Sequence, residues 1–316
     1  MKKSGIKSLF IALCLFIMLS NVLSANSYEE VNASGDSNIV QAKQGDFDIV
    51  QAKQDLVKKA TLLKKLTGAS GDEQEINHLL TRMVSAGASK DVIAENMQEY
   101  GVYLLDLPES KTTISPFAVG TTDMQMTNPI IMFDSNSSQW IITGGGYWKN
   151  DNWQQHMPTV WCQGPITVGQ TCSVGGEQAF GVGFTNVSGS YTGVALNSVY
   201  AFMSDGDGNE ISTTVRSDGN GALGFGFRLQ DSLRIKVARP INSTVTYIGK
   251  HFAGLARYNA KFSAYDGNAT SYFTHTYDNS VISNVTFGVG SQMSGVSVQT
   301  SVQTKSFPAF SGDTLF

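Results

Sequence analysis

Trp140, Tyr147, Trp148, Trp153 and Trp161 fall within 22 residues, and Asn150-Asp151-Asn152 lies between two of them. Ring faces beside amide and carboxylate groups are what a sugar-binding surface needs: the rings cover the apolar faces of the sugar and the polar groups take its hydroxyls. Trp148, Asp151 and Trp153 are the candidate ligand contacts on this reading. The competing expectation is that the rings fill a core, since each aromatic side chain buries about 150–250 Å².

Other residue types give less. The histidines, His78, His156, His251 and His275, are scattered without the spacing of a zinc-binding helix, and no cysteine cluster accompanies them. No Gly-x-Ser-x-Gly elbow occurs, and distant residues assembling a triad would leave no trace in the order of the chain. Asp205, Asp207 and Asn209 resemble the start of a calcium loop, but Glu210 stands where the glycine is required and Arg216 where the bidentate glutamate is required, so a hairpin turn is expected. Asp134, Asp151, Glu177 and Glu210 are carboxylates from which a glycosidase pair would have to come, and sequence cannot measure their separations. No catalytic residue, metal ligand or cofactor is therefore assigned. Arg216, Arg228, Arg234, Lys236 and Arg239 are read as charges on the solvent faces of strands, where they deter edge pairing; an anionic-glycan patch is the sharper alternative.

The elements that must position these residues change character along the chain. From Asp46 to Tyr100 apolar residues recur at helical spacing, with breaks at Gly68 to Gly71 and at Gly87 and with starts at Asp72 and Ser89, which predicts three helices. Residues 26–110 hold 14 acids and 8 bases and no tryptophan, whereas all four tryptophans follow. Beyond residue 110, short apolar runs alternate with turn signals such as Gly206-Asp207-Gly208-Asn209 and Asp218-Gly219-Asn220-Gly221. The expected fold is α+β, a small N-terminal helical region at 46–110 followed by an antiparallel β-sandwich at 111–316. Val285 and Phe287, with Val296 and Val298 as the return strand, are expected to form a last hairpin that completes a sheet.

Lys2, Lys3 and Lys7 precede an apolar stretch from Leu9 to Leu19 and the small residues Ser20, Ser24 and Ala25, the order of a cleavable secretory signal at 1–25. That core is short of the roughly 20 apolar residues a membrane span needs, so no stable span is expected after cleavage. Residues 26–45 read as a flexible arm, within and beyond which Asn38–Gln44 is repeated as Asp48–Gln54. Cleavage would leave 19 basic against 26 acidic residues, a balance that argues against nucleic acid as a partner. It would also discard Cys14, leaving Cys162 and Cys172 to pair in an oxidising compartment.

Several stretches, Met132-Phe133-Asp134-Ser135 leading to Ser138-Gln139-Trp140, Tyr147 to Trp153, the Asp205 to Gly208 turn, and Tyr272-Phe273-Thr274-His275-Thr276-Tyr277, resemble uncharacterised secreted β-rich proteins of Gram-positive bacteria. The resemblance covers the β region and implies compartment and architecture but no chemistry. Three functions fit: a non-enzymatic extracellular binding or structural protein with cell-wall or matrix polysaccharide as its partner, a secreted hydrolase with a helical pro-segment, and a membrane-active β-toxin.

Overall fold

A computed structural model of the chain describes residues 48–107, 123–156, 167–237, 244–276, 282–288, 296–300 and 306–316. The signal segment, the first copy of the repeat, Trp161, Cys162 and Arg239 lie outside them.

Three helices form where the capping residues allow. Helix α1 (Ile49–Thr67) starts at Asp48, whose carboxylate accepts from the Gln51 N–H, and stops at Gly68 in the left-handed region at φ +69°. Helix α2 (Glu73–Ser85) is capped by Asp72, which accepts from Gln74 and Glu75, and α3 (Lys90–Gln98) by Ser89, which accepts from Val92. Asp72 and Ser89 are the starts the sequence predicts.

The strands are β1 (Val102–Leu104), β2 (Met124–Asp134), β3 (Gln139–Trp148), β4 (Thr171–Gly189), β5 (Leu196–Ser204), β6 (Glu210–Thr213), β7 (Gly224–Val237), β8 (Thr244–Ile248), β9 (His251–Tyr258), β10 (Tyr265–Thr276), β11 (Ile282–Phe287), β12 (Val296–Thr300) and β13 (Ser306–Leu315). They make a six-stranded sheet in the order β1-β2-β3-β9-β5-β6, a five-stranded sheet in the order β13-β10-β4-β7-β8, and the pair β11-β12, with every pairing antiparallel. One core takes in Trp140, Ile142 and Phe252 from the first sheet and Phe180, Phe227 and Phe273 from the second.

Alternation along β3 and its neighbours explains their uninterrupted apolar runs. Trp140 and Ile142 enter that core, while Ile141 turns the other way and packs with Met132, Phe202 and Leu255 against Ile76, Leu80 and Val84 of α2 and Ile93 and Met97 of α3. Both faces of the first sheet are thus covered. Small residues set the spacing: a Cβ on Gly254 would lie 2.5 Å from the Phe227 ring, and one on Gly144 would collide with the Ser271 hydroxyl.

The proline positions fit the same logic. Pro129 falls where the β2–β3 register shifts between Thr127 and Ile130, and Pro308 lies on the edge strand β13.

Residues on both sides of position 110 fall within one compact unit, Phe47–Phe316, in which β1 pairs with the end of β2 and the helices bury their apolar faces on the first sheet. Two expectations are corrected. The hairpin β11–β12, with Val285 opposite Val298, forms its own two-stranded sheet; Ile282, Val285 and Val296 cover Ala179 and Tyr272 of the second sheet. Arg228 is no solvent-face charge: it donates to the Ile282 carbonyl at 2.7 Å and pairs with Asp218 at 3.1 Å, clasping that hairpin.

Candidate functional site

Trp148 and Trp153 are buried, 3% and 2% exposed, so they offer no open platform. Trp148 turns into the core at the end of β3, and the short 3₁₀ turn at Asn152–His156 folds Trp153 back onto it, centroids 5.8 Å apart and planes within 13°. Phe273 and His275 meet Trp148 edge-on at 5.8 and 5.6 Å. The intervening turn is built from within: Asn150 donates to Asp123 at 2.6 Å and Asn152 to the same oxygen at 3.3 Å. Asp151 alone of the three candidates faces solvent, in an exposed pair with Lys250 at 3.2 Å.

Behind the indoles lies a buried polar group. Gln178 of β4 donates to Asp231 of β7, whose second oxygen is 3.5 Å from His275 Nδ1 on β10. Burial pushes the Asp231 carboxyl well above its ordinary range, against the opposing hydrogen bond from Gln178. Among the described residues the Trp148 and Trp153 Nε1 groups find no hydrogen-bond acceptor. An aspartate–histidine pair is the material of general-base catalysis. Here both side chains are fully buried and lock three adjacent strands together, out of reach of a substrate.

The carboxylates are each engaged separately. Asp134 takes Arg257 at 2.6 Å, Glu177 accepts from the Ile282 N–H at 2.9 Å, and Glu210 meets His78 at 3.0 Å. Asp205 closes a hairpin turn, accepting from the Asp207 and Asn209 N–H groups, the Asn209 amide and the Thr246 hydroxyl. Burial pushes Asp205 up, but these bonds outweigh it and hold the carboxyl below its ordinary range. Among the described residues no group of three or more His, Cys, Asp or Glu side chains is placed to hold a metal ion.

An open cleft of about 350 Å³ lies between the α2–α3 turn and the start of β2. It is lined by Tyr147, Gln125, Thr127, Asn128 and Lys90, with apolar Met126 and Ile130 beneath. Tyr147 is the neighbour of Trp148 on β3, so its side chain emerges on the opposite face of the sheet. There it stacks on His251, 5.7 Å between centroids with planes within 23°, and touches Gly87, where a Cβ would fall 2.8 Å from the ring. His251 Nδ1 lies 3.1 Å from the Ser85 carbonyl, and Thr127 donates to the Val84 carbonyl at 3.0 Å. Both contacts pin the end of α2 to the sheet and give the cleft fixed walls.

Asn128, at the β2 register shift, and Gln125 beside it are both exposed; the Asn128 amide lies next to Gly312 of β13, and the Gln125 amide donates to the Met126 carbonyl at 3.1 Å. A ring, two amides, a hydroxyl and one ammonium around a shallow apolar floor form a surface that can take a polyol by stacking and hydrogen bonding. The signal in the sequence that separates Tyr147 from Trp148 is the two-residue period of β3. Comparison with protein-family models and with curated proteins finds no match to this chain.

Proposed function

We propose that this chain is a secreted, non-enzymatic extracellular protein that binds cell-wall or matrix polysaccharide through the Tyr147 cleft. The observation that carries the reading is that the partly buried Tyr147 ring and the exposed residues Gln125 and Asn128 line one open cleft. The compartment rests on the signal-like order of residues 1–25 and on the resemblance to secreted β-rich proteins of Gram-positive bacteria.

The scaffold in this proposal is a β-sandwich, its two larger sheets packed face to face. Phe180 of the second sheet meeting Phe252 of the first at 5.4 Å, and Phe252 stacking on Phe273 at 4.2 Å, support that arrangement. A Cys162–Cys172 disulfide belongs to the same reading. Cys172 is not a free thiol, and it packs beside Val174, Leu233 and Ile235. A helical pro-segment is disfavoured, because a cut near residue 110 that released the helices would expose Ile141, Phe202 and Leu255.

The test is co-sedimentation of the protein lacking residues 1–25 with insoluble wall polysaccharide. Tyr147→Ala is expected to lower binding by about tenfold, the worth of one aromatic contact, and Tyr147→Phe to retain most of it. Equal binding by parent and Tyr147→Ala would rule the cleft out.

A further inference from the structure

Helix α1 has a second face that the described residues leave exposed. Its inner side is fixed, with Ala60 buried in the main core and Leu56, Val57 and Leu63 packed against it. On the outer side Leu62 and Leu66, one turn apart, are 54% and 62% exposed. Lys58, Lys59 and Lys65 are exposed around them.

The helix carries five lysines and one acid, Asp55, in a chain whose formal net charge is −4. Lys53 is buried and Lys64 donates to the Ser135 carbonyl at 3.1 Å, while the Lys58–Asp55 pair at 3.3 Å is open to solvent. Lys59 and Lys65 therefore flank the two leucines as the main outward charges.

We propose that this outer face of α1 docks on an anionic lipid surface, lying flat with Leu62 and Leu66 in the boundary between headgroups and acyl chains. A cationic helix face with leucines at its centre fits that boundary, because the headgroups take the ammonium groups and the hydrocarbon takes the side chains. A soluble polyanion would satisfy the lysines but offer the leucines nothing. A second copy of the same face would set like charges against each other. The contact is superficial: no helix among the described residues is long and apolar enough to cross a membrane. It is also independent of the Tyr147 cleft, which is built from α2, α3, β2 and β3.

The experiment is sedimentation of the protein lacking residues 1–25 with vesicles of phosphatidylcholine alone and of phosphatidylcholine mixed with phosphatidylglycerol. Binding is expected to the mixed vesicles and not to the neutral ones, and to weaken as salt rises. Lys59→Gln with Lys65→Gln should reduce partitioning about 25-fold, roughly fivefold for each lysine. Leu62→Ser with Leu66→Ser should reduce it at least as far, with unchanged circular dichroism since both positions are exposed. Absence of binding to mixed vesicles, equal binding to neutral ones, or parent-like binding by either double variant would overturn the proposal. Parent-like binding by the leucine variant together with competition by soluble polyphosphate would assign the face to an anionic polymer instead.

Discussion

Arg257 lies one residue from the end of β9 with none of its side chain exposed, and it donates to Asp134 at 2.6 Å and to Asn77 at 2.8 Å, with Glu73 3.7 Å away. One guanidinium thus joins α2 to the β2–β3 hairpin. Nothing in the local sequence marks it, since its neighbours Ala256 and Tyr258 are ordinary strand residues and its partners lie 123 and 180 residues away. Removing one member of a buried pair leaves the other charge desolvated, so Arg257→Met should cost about 3 kcal/mol in urea unfolding. Lys53 is the second hidden charge. It donates to the Phe262 carbonyl at 3.3 Å and lies 4.5 Å from the centre of the Phe262 ring. Burial lowers its pKa to about 7, with the Asp266 carboxylate opposing. Between about 7 and the unfolded value of 10.5 the unfolded chain binds more protons, so this group makes stability rise with pH across that window. The rise measured for the parent, by at most about 1 kcal/mol per pH unit, should flatten in Lys53→Met, which should gain most over the parent below pH 7.

At the scale of elements, the helices were legible because caps and breaks are local, whereas the strands were legible mainly where both flanking turns carried glycine. β7, Gly224–Val237, runs unbroken through the polar stretch Gln230-Asp231-Ser232, which has the look of a break in sequence but holds Asp231 buried within the strand. Burial on two faces removes the alternation by which strand faces are read, so the sequence does not show that Trp148 turns into the core while Tyr147 turns to the other face. The sequence leaves β13 unmarked: it holds Pro308 and Gly312, which disfavour a central strand and which an edge strand tolerates. It covers the open edge of β10 and leads to Phe316, whose ring stacks on Phe262 at 5.4 Å and meets Phe184 at 4.6 Å. Phe316→Ala should therefore cost about 3–5 kcal/mol in denaturant unfolding, as a buried ring removed from a core does. A loss below about 1 kcal/mol would show that the end of the chain is not anchored there.

Across the whole molecule, the helical and β regions differ in composition yet share one compact unit, with the helices packed on the first sheet. Ile76, Leu80 and Ile93 of the helices share one apolar cluster with Ile141, Phe202 and Leu255 of the first sheet. Heat or urea should melt helical circular dichroism and tryptophan fluorescence together, since Trp140, Trp148 and Trp153 are buried in the shared core. Two separated transitions would restore the division near residue 110. What the sequence could not disclose at this scale is which faces of a doubly covered sheet reach solvent, and the binding proposal turns on that point. Its most direct test is calorimetric titration of soluble wall-polysaccharide fragments into the protein lacking residues 1–25, comparing the parent with Asn128→Ala in the cleft and Asp151→Ala outside it. A roughly tenfold loss for Asn128→Ala, the order of one hydrogen bond left unmade, with Asp151→Ala equal to the parent, is the result expected. Full affinity in Asn128→Ala, or a loss confined to Asp151→Ala, would contradict it.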